Sequence, residues 1–361
     1  MAQALALARR GLYSTDPNPR VGCVLVKDNQ VIAEGWHQQA GEPHAEIIAL
    51  TRAGDRAQGA TAYVTLEPCC HQGRTPPCTD ALQAANVARV IAAMPDPNPQ
   101  VSGQGLAQLR AAGIAVDCGL LATEAEALNP GFIQRMVQHR PWTRIKLAMS
   151  LDGRTALHSG ESQWLTGAAA RTDVQRLRAR SSAILTGIGT VLQDNPRLDV
   201  RLPGTTRQPL RVILDSHLRT PPTARLLQQP GQVLIFTAIT DPDKYAPLRS
   251  AGVNIVSVPR SGDDNQHLDL GALMTLLAQR ECNELHAECG ATLAGALLQA
   301  GFADEIVIYI APLLLGHQAR DLFRLPELTR MQDRYELELL ETRQIGKDLR
   351  LTLKHANNQR S

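Results

Sequence analysis

One histidine, one glutamate and two cysteines are spaced as a metal centre with a proton carrier beside it. His44 and Glu46 lie two residues apart in Gly41–Ala49, GEPHAEIIA. Pro43 marks a helix start there, where its missing N–H costs little. Leu66–Cys78, LEPCCHQGRTPPC, supplies Cys69 and, after eight intervening residues, Cys78. One imidazole and two thiolates make three tetrahedral ligands for Zn²⁺ and leave a fourth position for water. The metal lowers the pKa of that water enough to give hydroxide near neutral pH. Glu46 need not bind the metal. From a helix start beside it, a single carboxylate can make each proton transfer that hydrolytic deamination of an amidine-type ring carbon requires.

Zinc nucleobase deaminases carry His-x-Glu followed by Pro-Cys-x-x-Cys. This chain has the first half and the Pro-Cys, with a longer spacing to the second cysteine. A structural zinc knot is the bland alternative. It would close with a fourth ligand, Cys70 or His71, and would have no use for Glu46. Adjacent side chains diverge, so Cys70 is expected not to share a metal with Cys69.

A second group of segments follows residue 141: Lys146–Trp164, Ile184–Arg201, Arg211–Ser216 and Glu288–Leu298. In the last, a strand runs into Cys289-Gly290 and a helix starts near Thr292, so free N–H groups and a glycine meet where a pyrophosphate could sit. Helix–sheet packing accounts for the same Gly-x4-Gly at least as well. Gly187-x-Gly189 is half of a nucleotide fingerprint. Arg178 and Arg201 suit a 5′-phosphate, or are ordinary surface arginines. Trp164 could stack on a cofactor ring, although interior tryptophans are commoner. Asp152 reads equally as turn former or polar anchor, and Glu288 as a ligand for a ribose or pyrimidine N–H or as a buried ion-pair partner.

These residues need a scaffold of about two domains, which 361 residues allow. The pattern gives helix Ala2–Arg10, a strand pair Val21–Lys27 and Val31–Gly35 turned at Asp28-Asn29, helix His44–Arg52, strand Ala60–Leu66, helix Cys78–Ala85 and strand Arg89–Ala93. Helix, strand and helix then follow at Gly105–Ala112, Ile114–Cys118 and Thr123–Arg135. The alternation predicts α/β layers on a largely parallel sheet. Pro141 marks a boundary, giving domains 1–140 and 141–361. The second is again α/β, with a closing hairpin, Tyr335–Ile345 and Asp348–Leu353, turned near Gly346. Net charge is +2 and aromatics are 3%, so the composition makes no case for nucleic-acid or membrane-surface binding. No apolar run nears the roughly 20 residues of a membrane span, and the N-terminus does not read as a signal peptide. Clustered cysteines without a signal favour metal over disulfide and a cytoplasmic setting.

Pro17–Val26 (PNPRVGCVLV), Gly41–Glu46 and Thr65–Ala81 (TLEPCCHQGRTPPCTDA) together resemble the deaminase domain of the bifunctional riboflavin-biosynthesis deaminase/reductase family. The longer loop with GRTPPC is that family's variant of the zinc motif, and Cys70 stands where serine is more usual. The segments after residue 141 resemble the reductase half of the same family. The resemblance implies a cytidine-deaminase-like three-layer domain followed by a dihydrofolate-reductase-like domain, with Zn²⁺ and NADPH as cofactors. It implies deamination of 2,5-diamino-6-(5-phosphoribosylamino)-4(3H)-pyrimidinone, then reduction of the ribosyl side chain to give 5-amino-6-(5-phospho-ribitylamino)uracil. Carried over residue by residue, it makes His44, Cys69 and Cys78 the metal ligands and Glu46 catalytic. It sets Asn18 beside the pyrimidine, with His71, Gln72 and Arg74 at the same mouth. Ala148, Trp164, Thr190, Asp194, Ser216 and the turn Gly290, Ala291, Thr292, Leu293, Ala294, Gly295, Ala296 would meet NADPH. Ser162, Arg178, Leu198, Arg201 and Glu288 would meet the substrate. The expected partner is this small pyrimidine ribose phosphate, and α/β enzymes of this kind are expected to form homo-oligomers.

The rivals are a nucleoside or tRNA adenosine deaminase with an unrelated appendage, and a non-catalytic zinc-stabilised binding module. A tRNA enzyme should be basic with interleaved aromatics, which this chain is not.

Overall fold

A computed structural model describes residues 1–72, 76–99, 101–261 and 267–356. The chain forms two compact units, Met1–Arg140 and Pro141–Ser361.

The first unit runs α1 (Ala2–Ala8), β1 (Gly22–Lys27), β2 (Gln30–Trp36), α2 (Ala45–Ala53), β3 (Thr61–Val64), α3 (Cys78–Ala84), β4 (Arg89–Ala92), α4 (Gln104–Ala111), β5 (Ala115–Cys118), α5 (Ala122–Leu128) and α6 (Pro130–Gln138). Its sheet has the order β2-β1-β3-β4-β5. Here the largely parallel expectation needs correcting. β1 pairs antiparallel with both β2 and β3, and only β3, β4 and β5 are parallel. The physical cause is the two-residue connection. Asp28 and Asn29 both take positive φ, as a tight hairpin demands, and no crossover fits in two residues. The expected helix Thr123–Arg135 is two helices. Asn129 breaks it, and Pro130 opens α6 at the position proline tolerates best. Gly35 lets α2 lie directly on β2, since a Cβ there would stand 2.1 Å from the carbonyl oxygen of Ala45. The start of α2 is thereby fixed against the sheet.

The second unit contains β6 (Trp142–Ser150), β7 (Arg154–Ala156), α7 (Ala168–Arg180), β8 (Ala183–Gly187), α8 (Ile188–Asp194), β9 (Leu210–Leu214), β10 (Val233–Thr237), α9 (Ala246–Ser250), β11 (Asn254–Ser257), β12 (Arg260–Ser261), β13 (His267–Leu268), α10 (Leu270–Gln279), β14 (Glu284–Glu288), α11 (Ala291–Gln299), β15 (Glu305–Ala311), β16 (Arg320–Asp321), β17 (Leu337–Ile345) and β18 (Asp348–His355). A nine-stranded sheet has the order β11-β10-β9-β8-β14-β6-β15-β18-β17. It is parallel from β11 to β15, and the β17–β18 hairpin closes it antiparallel, as the sequence leads one to expect. Its central strands are buried on both faces and read as apolar runs, as parallel strands must. On β6, β14 and β15 the exceptions are charged: Arg144 and Glu284 are fully buried beside Glu305, joined by contacts of 2.8–3.3 Å.

Candidate functional site

In the first unit, two helix starts converge. His44 is the N-cap of α2, and Cys78 opens α3. Cys69 reaches them from the loop after β3, held by Cys78 N–H donating to Cys69 Sγ at 3.4 Å and Thr79 N–H donating to the Cys69 carbonyl at 3.2 Å. His44 Nδ1 stands 3.2 Å from Cys78 Sγ and 3.5 Å from Cys69 Sγ, and all three donor atoms lie within 4.8 Å of one another. Zinc bonds of about 2.0 Å to nitrogen and about 2.3 Å to sulfur, at tetrahedral angles, require donor atoms about 3.5–3.8 Å apart. The set fits. Cys70 is absent from it, as expected.

Charge tells the same story. Hydrogen bonds from Cys78 and His44 pull the Cys69 thiol down to about 4, while the Cys69 thiolate pushes Cys78 upward. Two thiolates this close repel, so both ionise together only with a cation between them. Glu46, in the first turn of α2, is 3% exposed, and its Oε2 has no hydrogen-bond partner. Burial pushes its carboxyl up to about 7 against the pull of His44. A buried carboxylate with one oxygen unspoken for, beside three metal-type donors, suits a proton carrier better than a structural residue.

The site has a member that the sequence motifs do not flag, His37. Asn18 Nδ2 lies 3.0 Å from His37 Nε2, His37 Nδ1 lies 3.2 Å from the Pro43 carbonyl, and the His37 ring meets that of His44 edge-on at 5.3 Å. Asn18 is thus one side chain removed from the metal donors. Its segment is clasped by the α5–α6 junction: Arg20 N–H donates to Asn129 Oδ1, and Arg20 Nη1 to the Leu128 carbonyl, each at 2.8 Å. His71 and Gln72 are exposed, and Arg74 lies outside the described residues.

In the second unit, a cleft of about 2640 Å³ opens at the carboxyl ends of the parallel strands. β14 is inserted between β8 and β6 there, the kind of switch in strand order at which open α/β sheets bind ligands. Ala148, Ser162, Trp164, Arg178, Thr190, Asp194, Leu198, Arg201, Ser216 and Glu288 all line it. So do Gly290, Ala291, Thr292, Leu293 and Ala296. Ala294 and Gly295 do not. Ala294 is in the core, and a Cβ on Gly295 would stand 2.1 Å from the Arg324 carbonyl oxygen, so this glycine serves packing. Gly290 is the opposite case: a Cβ there meets no protein atom within 4 Å. The open glycine and the free N–H groups of α11 form a cradle that suits a cofactor phosphate.

Trp164 is 70% exposed, not interior, with the Arg171 guanidinium 4.6 Å over its ring. Arg178 is a buried fork: Nε and Nη2 hold Glu288 at 2.5 and 2.8 Å, and Nη1 holds the Asp199 carbonyl at 3.0 Å. Arg201 is half-exposed and pairs with Asp199. Asp152 proves to be an anchor, accepting from Ser150 and from the backbone N–H groups of Leu315 and Gly316. Lys146 also lines the cleft, in register opposite Glu288, and burial pulls its ammonium down. A lysine inside the apolar run RIKLAMS was the sequence signal for it.

Comparison with known proteins agrees with both halves. Residues 1–94 match the cytidine and deoxycytidylate deaminase zinc-binding region, and residues 141–351 match the RibD C-terminal domain. The chain is 51% identical to riboflavin biosynthesis protein RibD of Escherichia coli (98% of each chain) and 49% identical to that of Haemophilus influenzae (98% of this chain, 95% of the relative). The solved Acinetobacter baumannii RibD superposes with a TM-score of 0.92 at 46% identity, over 99% of this chain and 98% of that one. The Thermotoga maritima diaminohydroxyphosphoribosylaminopyrimidine deaminase/5-amino-6-(5-phosphoribosylamino)uracil reductase does so with 0.85 at 33% identity, over 99% and 97%. The chain therefore belongs to the RibD family, a zinc-dependent deaminase and an NADPH-dependent reductase of riboflavin biosynthesis joined in one polypeptide.

Proposed function

We propose that residues 1–140 deaminate 2,5-diamino-6-(5-phosphoribosylamino)-4(3H)-pyrimidinone at its exocyclic 2-amino group, and that residues 141–361 reduce the ribosyl chain of the product to ribityl. The observation that carries the first half is the orphaned, buried Glu46 Oε2 beside the His44, Cys69 and Cys78 donors. Zinc held by those three donors supplies a Lewis acid that makes hydroxide available near neutral pH. Glu46 would take one proton from the attacking water and deliver it to the ring nitrogen, then take the second from the resulting hydroxyl and deliver it to the amino group that leaves as ammonia. The starts of α2 and α3 stabilise the thiolates through their N–H groups. Asn18 offers its amide to the pyrimidine edge, and His37 orients it.

In the second unit, Trp164, Thr190, Asp194, Ser216 and the Gly290–Leu293 turn would hold NADPH, whose chemistry is the donation of a hydride, here to the sugar C1. Glu288, fixed by Arg178, holds an N–H or O–H of the substrate. Ser162, Leu198 and Arg201 complete that wall, with Arg201 facing the 5′-phosphate.

The free cysteines of the chain suit a reducing cytoplasm. No helix among the described residues is long and apolar enough to cross a membrane. The outer strand β17, exposed along most of its length and carrying Leu339 and Leu340, is the surface offered to a second copy of the chain.

Coupled turnover of the diaminopyrimidine phosphate tests the reading, with ammonia and NADPH followed together. Glu46→Ala should stop ammonia release while NADPH oxidation on the deaminated substrate persists. Ammonia release by that variant would overturn the role of Glu46.

A further inference from the structure

His286 is a buried ionisable side chain to which the sequence motifs give no task. His286 lies on β14 two residues before Glu288, so both face the same side of the sheet. Its ring is 0% exposed, and neither ring nitrogen completes a well-aligned hydrogen bond. His286 Nε2 stands 3.3 Å from Glu288 Oε1. The charged groups around the ring are Glu284 and Glu288 on its own strand, Arg144 and Lys146 on the neighbouring β6, and Arg178 from α7. Burial pulls the imidazole pKa down, so the ring is neutral near pH 7 and carries one N–H.

A carboxylate offers about four acceptor positions, two on each oxygen. Arg178 Nε takes one on Glu288 Oε1 and Arg178 Nη2 takes one on Oε2. We infer that His286 is a positioning residue for the reductase site: it carries its proton on Nε2, directs it at the second acceptor position of Glu288 Oε1, and leaves the remaining position on Oε2 for the substrate. The inference rests on the reading of Glu288 as a substrate ligand. Burial alone would raise the Glu288 carboxyl, but Arg178 outweighs it and His286 adds to the effect, so the anion persists inside the cleft wall. Without the imidazole, Oε1 would be free to turn and share the ligand's donor with Oε2.

The test uses the full-length enzyme, the deaminated substrate and NADPH oxidation. His286→Leu should lower reductase kcat/KM about tenfold, mostly through KM, and move its acid limb to higher pH. His286→Asn, which keeps an N–H, should recover most of the loss. Ammonia release should be unchanged in both. In the wild-type chain, ¹⁵N shifts of His286 should report a neutral ring protonated at Nε2. Unaltered KM and pH profile in a folded His286→Leu chain, or a ring protonated at Nδ1, would overturn the inference. If His286→Leu fails to fold, the asparagine variant and the ¹⁵N shifts decide. Loss of reductase activity in Glu288→Gln with no effect of His286→Leu would sink only the inference. Full activity in Glu288→Gln would sink the reading beneath it as well.

Discussion

The zinc pocket and the reductase cleft solve opposite problems. The first gathers three donors within 4.8 Å from positions no more than 34 residues apart, each anchored at a helix start or a tight loop. The second spreads its wall around about 2640 Å³, and the Arg178–Glu288 pair in that wall joins positions 110 residues apart. The pocket leaves one carboxylate oxygen unsatisfied; in the cleft, both oxygens of the Glu288 carboxylate are held by Arg178. A proton carrier must be poised and unspent, whereas a wall that orients a large cofactor and substrate must be rigid before they arrive.

Variants can break or sharpen this contrast. Glu46→Gln should reduce ammonia release by about 10³-fold, the scale expected of a general acid–base, while reductase turnover is untouched. Cys69→Ser or Cys78→Ser should remove bound zinc and deaminase activity together, checked by metal analysis, whereas Cys70→Ser should retain both. In the cleft, Gly290→Val should weaken NADPH binding about tenfold by fluorescence titration. Its thermal midpoint should barely move, because no protein atom lies where the new Cβ would go. A variant that unfolds instead would show that the cradle is made of packing and not reserved for a ligand.

The smallest effect is in pH. Against the cost of burial, Arg178 holds Glu288 low and Arg144 holds Glu305 low, while burial holds His286 low. A lowered carboxyl contributes stability that is full above its unfolded pKa and is lost as pH falls through the folded value. A lowered histidine behaves alike: below about 6.5 the unfolded chain binds the extra proton. All three terms therefore weaken the second unit in acid. Equilibrium denaturation at pH 7, 6, 5 and 4 should show its midpoint falling monotonically. A midpoint that rises toward pH 5 would contradict the assignment.

What the sequence discloses follows the same contrast. His44, Glu46, Cys69 and Cys78 are legible because ligand chemistry dictates residue type and local geometry dictates spacing. Most strands and helices are legible from periodicity, including the β17–β18 hairpin at Gly346. The Asp28-Asn29 turn makes the β1–β2 hairpin legible, whereas the antiparallel pairing of β1 with β3 is not, because two pairing modes fit the same apolar run. The break at Asn129 is not legible, because the helical period continues across it. The long-range pairs are another matter. Nothing local in Arg144, or in Arg178, announces a partner on another element; only the fold brings them together. Gly295 shows the limit from the other side, since a glycine beside a phosphate cradle and a glycine under a backbone carbonyl look the same in sequence.

The place of β6 has a consequence for how the chain is made. It leaves the ribosome first among its sheet's strands, yet its two neighbours are β14 and β15, and the ion partners of Arg144 lie at Glu284 and Glu305. At roughly 5–20 residues per second, this interior strand and its guanidinium wait on the order of ten to thirty seconds for their neighbours to emerge. Residues 1–140 can close their own sheet long before then. A nascent chain paused short of residue 284 therefore exposes a sticky, half-charged strand, and there chaperone engagement during translation should concentrate.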